Sequence, residues 1–203
     1  MRVAIVGGPG IGKSTLVRQL GDLYHNGSYG EGEKGVWHPD VLKDIAMERN
    51  PVGVTAYFAA LYDANYRDAA LNDRPGNVVF FEGARITLEA HIAEYPGEYH
   101  ADLRKVLDIG DAWHPDRIIV LTSSTDTIEK HIRLRNRSHE DAENMVRRFW
   151  LIDGEFRRFA PLYPNTVVVD RDRMEFHERC GLMEVIVVAG IPVFYEIPYR
   201  REL

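Results

Sequence analysis

Residues 7–15 read Gly-Gly-Pro-Gly-Ile-Gly-Lys-Ser-Thr, directly after the apolar run Val3-Ala4-Ile5-Val6. The spacing has a mechanical reason. Glycines let the backbone curl so that successive N–H groups point inward at one anion, and the helix that follows aims its positive end at the same place. Lys13 can reach the outer phosphates of a nucleotide, and Ser14 offers a hydroxyl to Mg²⁺. Gly7, Gly8, Pro9, Gly10, Ile11, Gly12, Lys13, Ser14 and Thr15 are thus expected to cradle a phosphate chain. Leu16, Val17 and Leu20 give the next segment an apolar helical face, completing the strand–loop–helix setting. An ordinary tight turn has no need of the Lys-Ser-Thr trio.

A loop of this kind belongs at the carboxyl end of a strand, and the rest of the chain supplies the sheet. Short runs rich in branched residues occur at Val3–Val6, Val78–Phe81, Ile118–Leu121 and Val167–Val169, with a fifth strand expected within Gly35–Trp37. Helical patterns lie between them, at Asp40–Arg49, Val52–Asn72, Leu88–Glu94, Tyr99–Ala112, Thr125–Arg135 and Glu140–Phe159. Asn26–Gly35 reads as a polar loop. The alternation predicts an α/β fold of three layers, a mostly parallel sheet of about five strands with helices on both faces. At 203 residues, with no linker or repeat, the expectation is one domain over 1–203 with a tail after Pro192.

The composition is 45% hydrophobic and 28% charged, as in soluble globular proteins. No apolar run reaches membrane-spanning length and the chain starts straight into a strand, so no membrane partner and a cytoplasmic location are expected. A single cysteine, Cys180, excludes an internal disulfide and a cysteine-based metal cluster. The eight histidines show no metal-ligand spacing. A formal charge of −6 argues against general nucleic-acid affinity. One stretch reverses it: Arg133, Arg135, Arg137, Arg147, Arg148, Arg157 and Arg158 stand close together, with Glu140, Asp141, Glu143, Asp153 and Glu155 nearby. Such a run is either a solvated helix face or a polyphosphate clamp, and the phosphate loop tips the choice to the clamp.

In a parallel sheet, ligands bind at the carboxyl ends of the strands. Those ends carry the phosphate loop, Glu82-Gly83-Ala84-Arg85, Thr122-Ser123-Ser124 and Asp170-Arg171-Asp172. Glu82 reads as a magnesium-shell ligand or a general base, against a plain strand-end ion pair. Arg85 can grip a phosphate with its planar fork, against a surface pair.

Together GGPGIGKST, FFEGAR and PDRIIVLTSSTDTIEKHIRLRNR resemble the P-loop nucleoside and nucleotide kinases, nearest the deoxynucleoside and thymidylate kinase group with adenylate-kinase features. The resemblance runs over roughly residues 1–175 in element order and is specific in the loop and the arginine-rich lid. It implies a P-loop kinase fold with a lid at about 133–143, with ATP and Mg²⁺ as cofactors. Lys13, Glu82, Arg85 and Arg135 would be catalytic, and Ser14 and Glu82 the metal side chains. Arg133 and Arg137 would join the donor site, Asp170 and Asp172 would border the adenine, and Arg148 would hold a substrate or phosphate. In deoxynucleoside kinases the acid and arginine are adjacent; here two residues separate Glu82 from Arg85, a spacing nearer the adenylate kinases.

The acceptor side departs from the pattern. The segment TAYFAALYDANYR at Thr55–Arg67 lacks the family's base-reading glutamine. Tyr57, Phe58, Tyr62 and Tyr66 recur at helical spacing, as core or interface residues or as rings stacked on a base. Asp63, Asn65 and Arg67 are its polar candidates, and Glu31 and Glu33 lie where the family has an acid. The function expected is transfer of the γ-phosphoryl group of ATP to a deoxynucleoside or nucleoside monophosphate. The alternatives are a kinase acting on a modified base or an end within DNA and, more distantly, a nucleotide-hydrolysing switch. The resemblance alone suggests a homodimer through the Tyr-rich helix.

Overall fold

The apolar residues of the three central strands alternate between the two faces of one sheet. In the computed structural model, Val3 and Ile5 of β1 (Arg2–Gly7) join one buried cluster, while Ala4 and Val6 join another on the opposite face. Likewise Phe80 and Phe81 of β3 (Val79–Glu82) point to opposite clusters, as do Ile118 and Ile119 of β4 (Arg117–Thr122). A strand apolar on both sides must be covered on both sides. With β2 (Ser28–Tyr29) and β5 (Thr166–Asp170), these strands form a five-stranded sheet of order β2-β3-β1-β4-β5, every pairing parallel. The structure describes residues 1–24, 28–30, 39–46, 49–71, 76–108, 114–135, 142–173 and 179–192.

Helices make the outer layers. On one face, α1 (Lys13–Tyr24), α6 (Thr125–Arg135) and α8 (Arg179–Val188) contribute Leu16, Val17, Leu20, Ile128, Ile132, Val185 and Ile186. On the other lie α3 (Pro51–Leu71), α4 (Arg85–Ile92) and α5 (His100–Leu107). From α7 (Ala142–Phe159), Phe149 packs on the first face, and Ile152 and Phe156 on the second. The short α2 (Pro39–Ala46) packs beside α3. No helix of the described residues is long and apolar enough to cross a membrane.

Four expected strands are present, each within one or two residues of its expected ends. Three local expectations are corrected, and a fourth lies outside the described residues. Ser28–Tyr29 lies in the segment read as loop but is a strand. Two residues carry no alternation signal; the Tyr29 ring stacking on Phe81 at 5.3 Å and its hydroxyl bonding Asp68 hold them in place. The strand expected at Gly35–Trp37 lies outside the described residues. Helix α4 begins at Arg85 rather than Leu88, because the Thr87 hydroxyl accepts from the Ala84 N–H at 3.2 Å and caps an earlier turn. Helix α8 was not expected. Its Val-Ile-Val-Val run has poor intrinsic helix propensity, and burial of Val185, Ile186 and Ala189 overrides it.

Candidate active site

Parallel register brings the strand ends to one edge. Ile5 pairs with Glu82, Gly7 with Leu121 and Thr122 with Asp170. The order of strands reverses around β1, which opens a crevice there, and the phosphate loop is the turn leaving β1.

The loop is pressed from outside by side chains of three other elements. A Cβ at Gly8 would stand 2.5 Å from the Phe149 ring, and one at Gly10 would stand 2.9 Å from Ile132 Cγ1. Gly12 faces the Arg171 guanidinium, whose Nη1 donates to the Ile11 carbonyl at 2.6 Å. The glycines thus serve packing: with the outer side filled by Phe149 and Ile132, a side chain at 8 or 10 has nowhere to go. Lys13 Nζ donates to the Gly8 carbonyl at 3.2 Å, lying across the loop.

Ser14 Oγ donates to Glu82 Oε1 at 2.8 Å. Glu82 is buried at the end of β3, so this hydroxyl–carboxylate pair sits where the first helix meets the second strand of the crevice. Hydroxyl and carboxylate oxygens are hard donors of the type Mg²⁺ takes, and the pair fits that ion's requirements. Among the described residues, no group of three or more His, Cys, Asp or Glu is placed to hold a metal by itself.

The far side of the crevice is closed by a turn. Asp172 accepts from the Ser123 hydroxyl at 2.6 Å and from the Ser124 N–H at 2.7 Å, at the start of α6. Partial burial opposes its ionisation, but these donors outweigh burial and hold its carboxyl at about 2. Asp170 faces Arg173 at 3.3 Å and accepts from the Asp172 N–H. Burial draws Arg171 below the ordinary arginine value, against the nearby Asp172 charge.

Other expected site residues are engaged elsewhere. Arg85 Nε donates to Glu89 at 3.0 Å, Nη1 to the Leu107 carbonyl at 3.3 Å, and Nη2 lies 3.6 Å from Asp108. Its guanidinium therefore ties α4 to the end of α5. Arg148 makes a two-pronged pair with Glu94, at 2.6 and 3.1 Å, which joins α7 to the end of α4. In the arginine stretch, Arg133 bonds Glu129, Arg147 bonds Asn144 and Arg157 bonds Asp153, the pattern of a solvated helix face. The side chain of Arg135 lies outside the described residues, as do Glu31, Glu33 and Arg137.

On the acceptor helix, Tyr66 stacks on Phe81 at 4.1 Å, an arrangement contributing about 0.5–1.5 kcal/mol beyond its burial. Its phenol is buried without a hydrogen-bond partner and feels the charges of Arg2 and Asp116, at the amino ends of β1 and β4. Tyr66 is a core residue there, turned away from the carboxyl edge. Tyr62 is buried too, but its ring lies against Gly83, next to Glu82. Phe58 and Tyr57 continue the aromatic row, with centroids 6.3 and 5.5 Å apart in turn. Asp63 and Arg67 bond each other at 2.7 Å, and Asn65 is buried.

Sequence reasoning missed Arg171, Phe149 and Ile132 as parts of the site. In sequence Arg171 stands between two carboxylates, Asp170 and Asp172, which are the more obvious polar candidates at that strand end. Phe149 and Ile132 carried only a helix-face signal.

No family model matches the sequence, and no curated protein matches it either. Solved structures do. Deoxyadenosine kinase from M. mycoides, solved with dCMP and dCDP, is 15% identical, with a TM-score of 0.70 over 92% of this chain and 97% of that one. Thymidylate kinase from Candida albicans is 13% identical, with a TM-score of 0.66 over 93% and 92%. The M. mycoides enzyme bound to dCTP is 18% identical, with a TM-score of 0.65 over 92% and 97%. The chain has the P-loop kinase fold.

Proposed function

We propose that this protein is an ATP-dependent phosphotransferase that moves the γ-phosphoryl group to a deoxynucleoside or a nucleoside monophosphate. The observation that carries the reading is the bond from Ser14 to Glu82 at 2.8 Å, which joins the phosphate loop to an acid on the neighbouring strand. A merely structural turn needs no such acid; P-loop hydrolases and kinases both pair the loop hydroxyl with one, and it is the fold that favours transfer to an acceptor. The fold shared with deoxyadenosine and thymidylate kinases supports the same reading.

The roles follow from the geometry. Loop N–H groups and Lys13 hold the phosphate chain and offset charge that builds on the transferring oxygens. Because the Ser14 proton is directed at Glu82, the lone pairs of its oxygen are left for a cation. Ser14 and Glu82 would hold Mg²⁺ brought with the nucleotide, where it would neutralise β- and γ-phosphate charge. In transfer, the acceptor oxygen attacks phosphorus in line, the bond to the bridging oxygen breaks and ADP leaves. The acceptor proton goes to a carboxylate, for which Glu82 is the candidate, or to solvent. Positioning supplies most of the rate. Arg133, with Arg135 and Arg137 beyond it, forms the lid arginine set, and Arg133 must leave Glu129 to reach a phosphate. Tyr62, beside Gly83, is the ring best placed to border an acceptor.

The test is direct. Protein, ATP and Mg²⁺ are incubated with nucleosides, nucleoside monophosphates and DNA containing hydroxymethyl-pyrimidines, and labelled phosphate is followed. Transfer to a nucleoside or monophosphate is expected. Label on DNA alone moves the acceptor to DNA, and acceptor-independent release of phosphate makes the protein a hydrolase.

A further inference from the structure

The turn after β5 grips two parts of the site at once. Arg171 holds the Ile11 carbonyl at 2.6 Å, and Asp172, its neighbour, holds Ser123 and Ser124 at the root of α6. Helix α6 then returns to the loop, where Ile132 and Ile128 pack on Gly10. Loop, Arg171, Asp172, Ser124 and α6 close a circuit.

We infer that Arg171 and Asp172 are positioning residues that lock the Ile11–Gly12 peptide to the root of α6 and so set the affinity for the triphosphate of the donor nucleotide. The inference rests on the phosphotransferase reading. Its logic is peptide geometry: in a trans peptide the C=O and the following N–H point in opposite directions. With the Ile11 carbonyl held outward by a charged donor, the Gly12 N–H is turned inward, toward the phosphate cradle. Asp172 fixes the backbone that carries Arg171, so a residue whose carboxylate bonds α6 acts on the loop through its neighbour.

The experiment compares wild type, Arg171→Gln, Arg171→Lys, Asp172→Asn and the double variant Arg171→Gln/Asp172→Asn. Calorimetric affinities for ATP and inorganic tripolyphosphate are measured, with KM and kcat for ATP and thermal melting alongside. Arg171→Gln should weaken both ligands about tenfold, as loss of a charge-assisted hydrogen bond does, and raise KM more than it lowers kcat. Arg171→Lys should recover part of the loss. Asp172→Asn should weaken tripolyphosphate as well, and the double variant should lose less than the sum of the two, because both interrupt one circuit. Folded variants that bind tripolyphosphate as tightly as wild type overturn the inference alone, as do strictly additive losses. A wild type that binds neither ATP nor tripolyphosphate overturns the phosphotransferase reading and this inference with it. If Arg171→Gln does not fold, Arg171→Lys and Asp172→Asn carry the comparison.

Discussion

Ser14 and Glu82 are separated by 68 positions in the chain, yet the Ser14 hydroxyl donates to the Glu82 carboxylate at 2.8 Å. The parallel pairing of β1 with β3, Ile5 opposite Glu82, makes the meeting unavoidable once the sheet forms. Glu82→Gln keeps an acceptor for the Ser14 proton but removes the charge. Turnover should fall by about 10²–10³-fold with the melting temperature little changed. If Glu82 serves as base, the acid limb of the pH–rate profile disappears in the variant; if it serves in the metal shell, the Mg²⁺ requirement rises. Turnover within a few-fold of wild type at the same Mg²⁺ would exclude both roles.

Lys13→Ala removes a side chain whose bond within the loop is to the Gly8 carbonyl at 3.2 Å. Transfer should drop below detection while stability changes by about 0.5 kcal/mol or less, as for a substitution outside the core. Turnover assays and thermal melts on one preparation check this. Retained transfer contradicts the assignment of the loop.

Gly83 has φ +93°, and a Cβ there would lie 2.3 Å from the Tyr62 ring. Gly83→Ala therefore combines backbone strain with overpacking against a buried ring and should cost about 2–4 kcal/mol in urea unfolding. Gly97→Ala, where nothing lies within 4 Å, is the control and should stay within about 0.5 kcal/mol. Equal costs at the two positions would refute the contact.

Glu94 gives a pH dependence with a definite sign. Burial opposes its ionisation, but His91 and Arg148 beside it prevail and lower its carboxyl from 4.5 to about 2. A depressed carboxyl stabilises the fold above its unfolded value and loses that contribution as the pH falls from 4.5 through 2. The difference in unfolding free energy between wild type and Glu94→Gln should shrink over this window, by about 3 kcal/mol at most. Asp172 acts in the same direction, and Asp153, raised chiefly by burial, acts oppositely. Both are present in each protein and drop out of the difference. A difference independent of pH between 4.5 and 2 would show that Glu94 is not the source.

What could be read from the chain was what local chemistry dictates. The phosphate loop has few alternatives because its glycine spacing is that of a backbone curled for an anion, and the branched runs at β1, β3 and β4 are too apolar to lie anywhere but in a covered sheet, while β5 at the edge leaves Val168 exposed. Glu82 followed as the residue ending such a run. What stayed hidden was whatever depends on partners distant in sequence. The neighbours of Arg148 and Arg85 in sequence gave no hint of the contacts with Glu94, Leu107 and Asp108 that the two make in space. Arg171 looked like one charge among several, and only folding brings it to Ile11, 160 positions away. Tyr62 and Tyr66, four residues apart, read alike in sequence, yet one borders Gly83 and the other stacks on Phe81.

The Phe149 ring resting on Gly8 means that the loop is not a portable part. Grafted onto another scaffold, the nine residues from Gly7 to Thr15 would keep their pattern but lose the ring, the isoleucine and the guanidinium that press on them from outside. Any change that enlarges position 8 must be answered by a smaller residue at 149. The two positions fit as a lock and its key, and enlarging residue 8 alone would push the loop off the ring that shapes it.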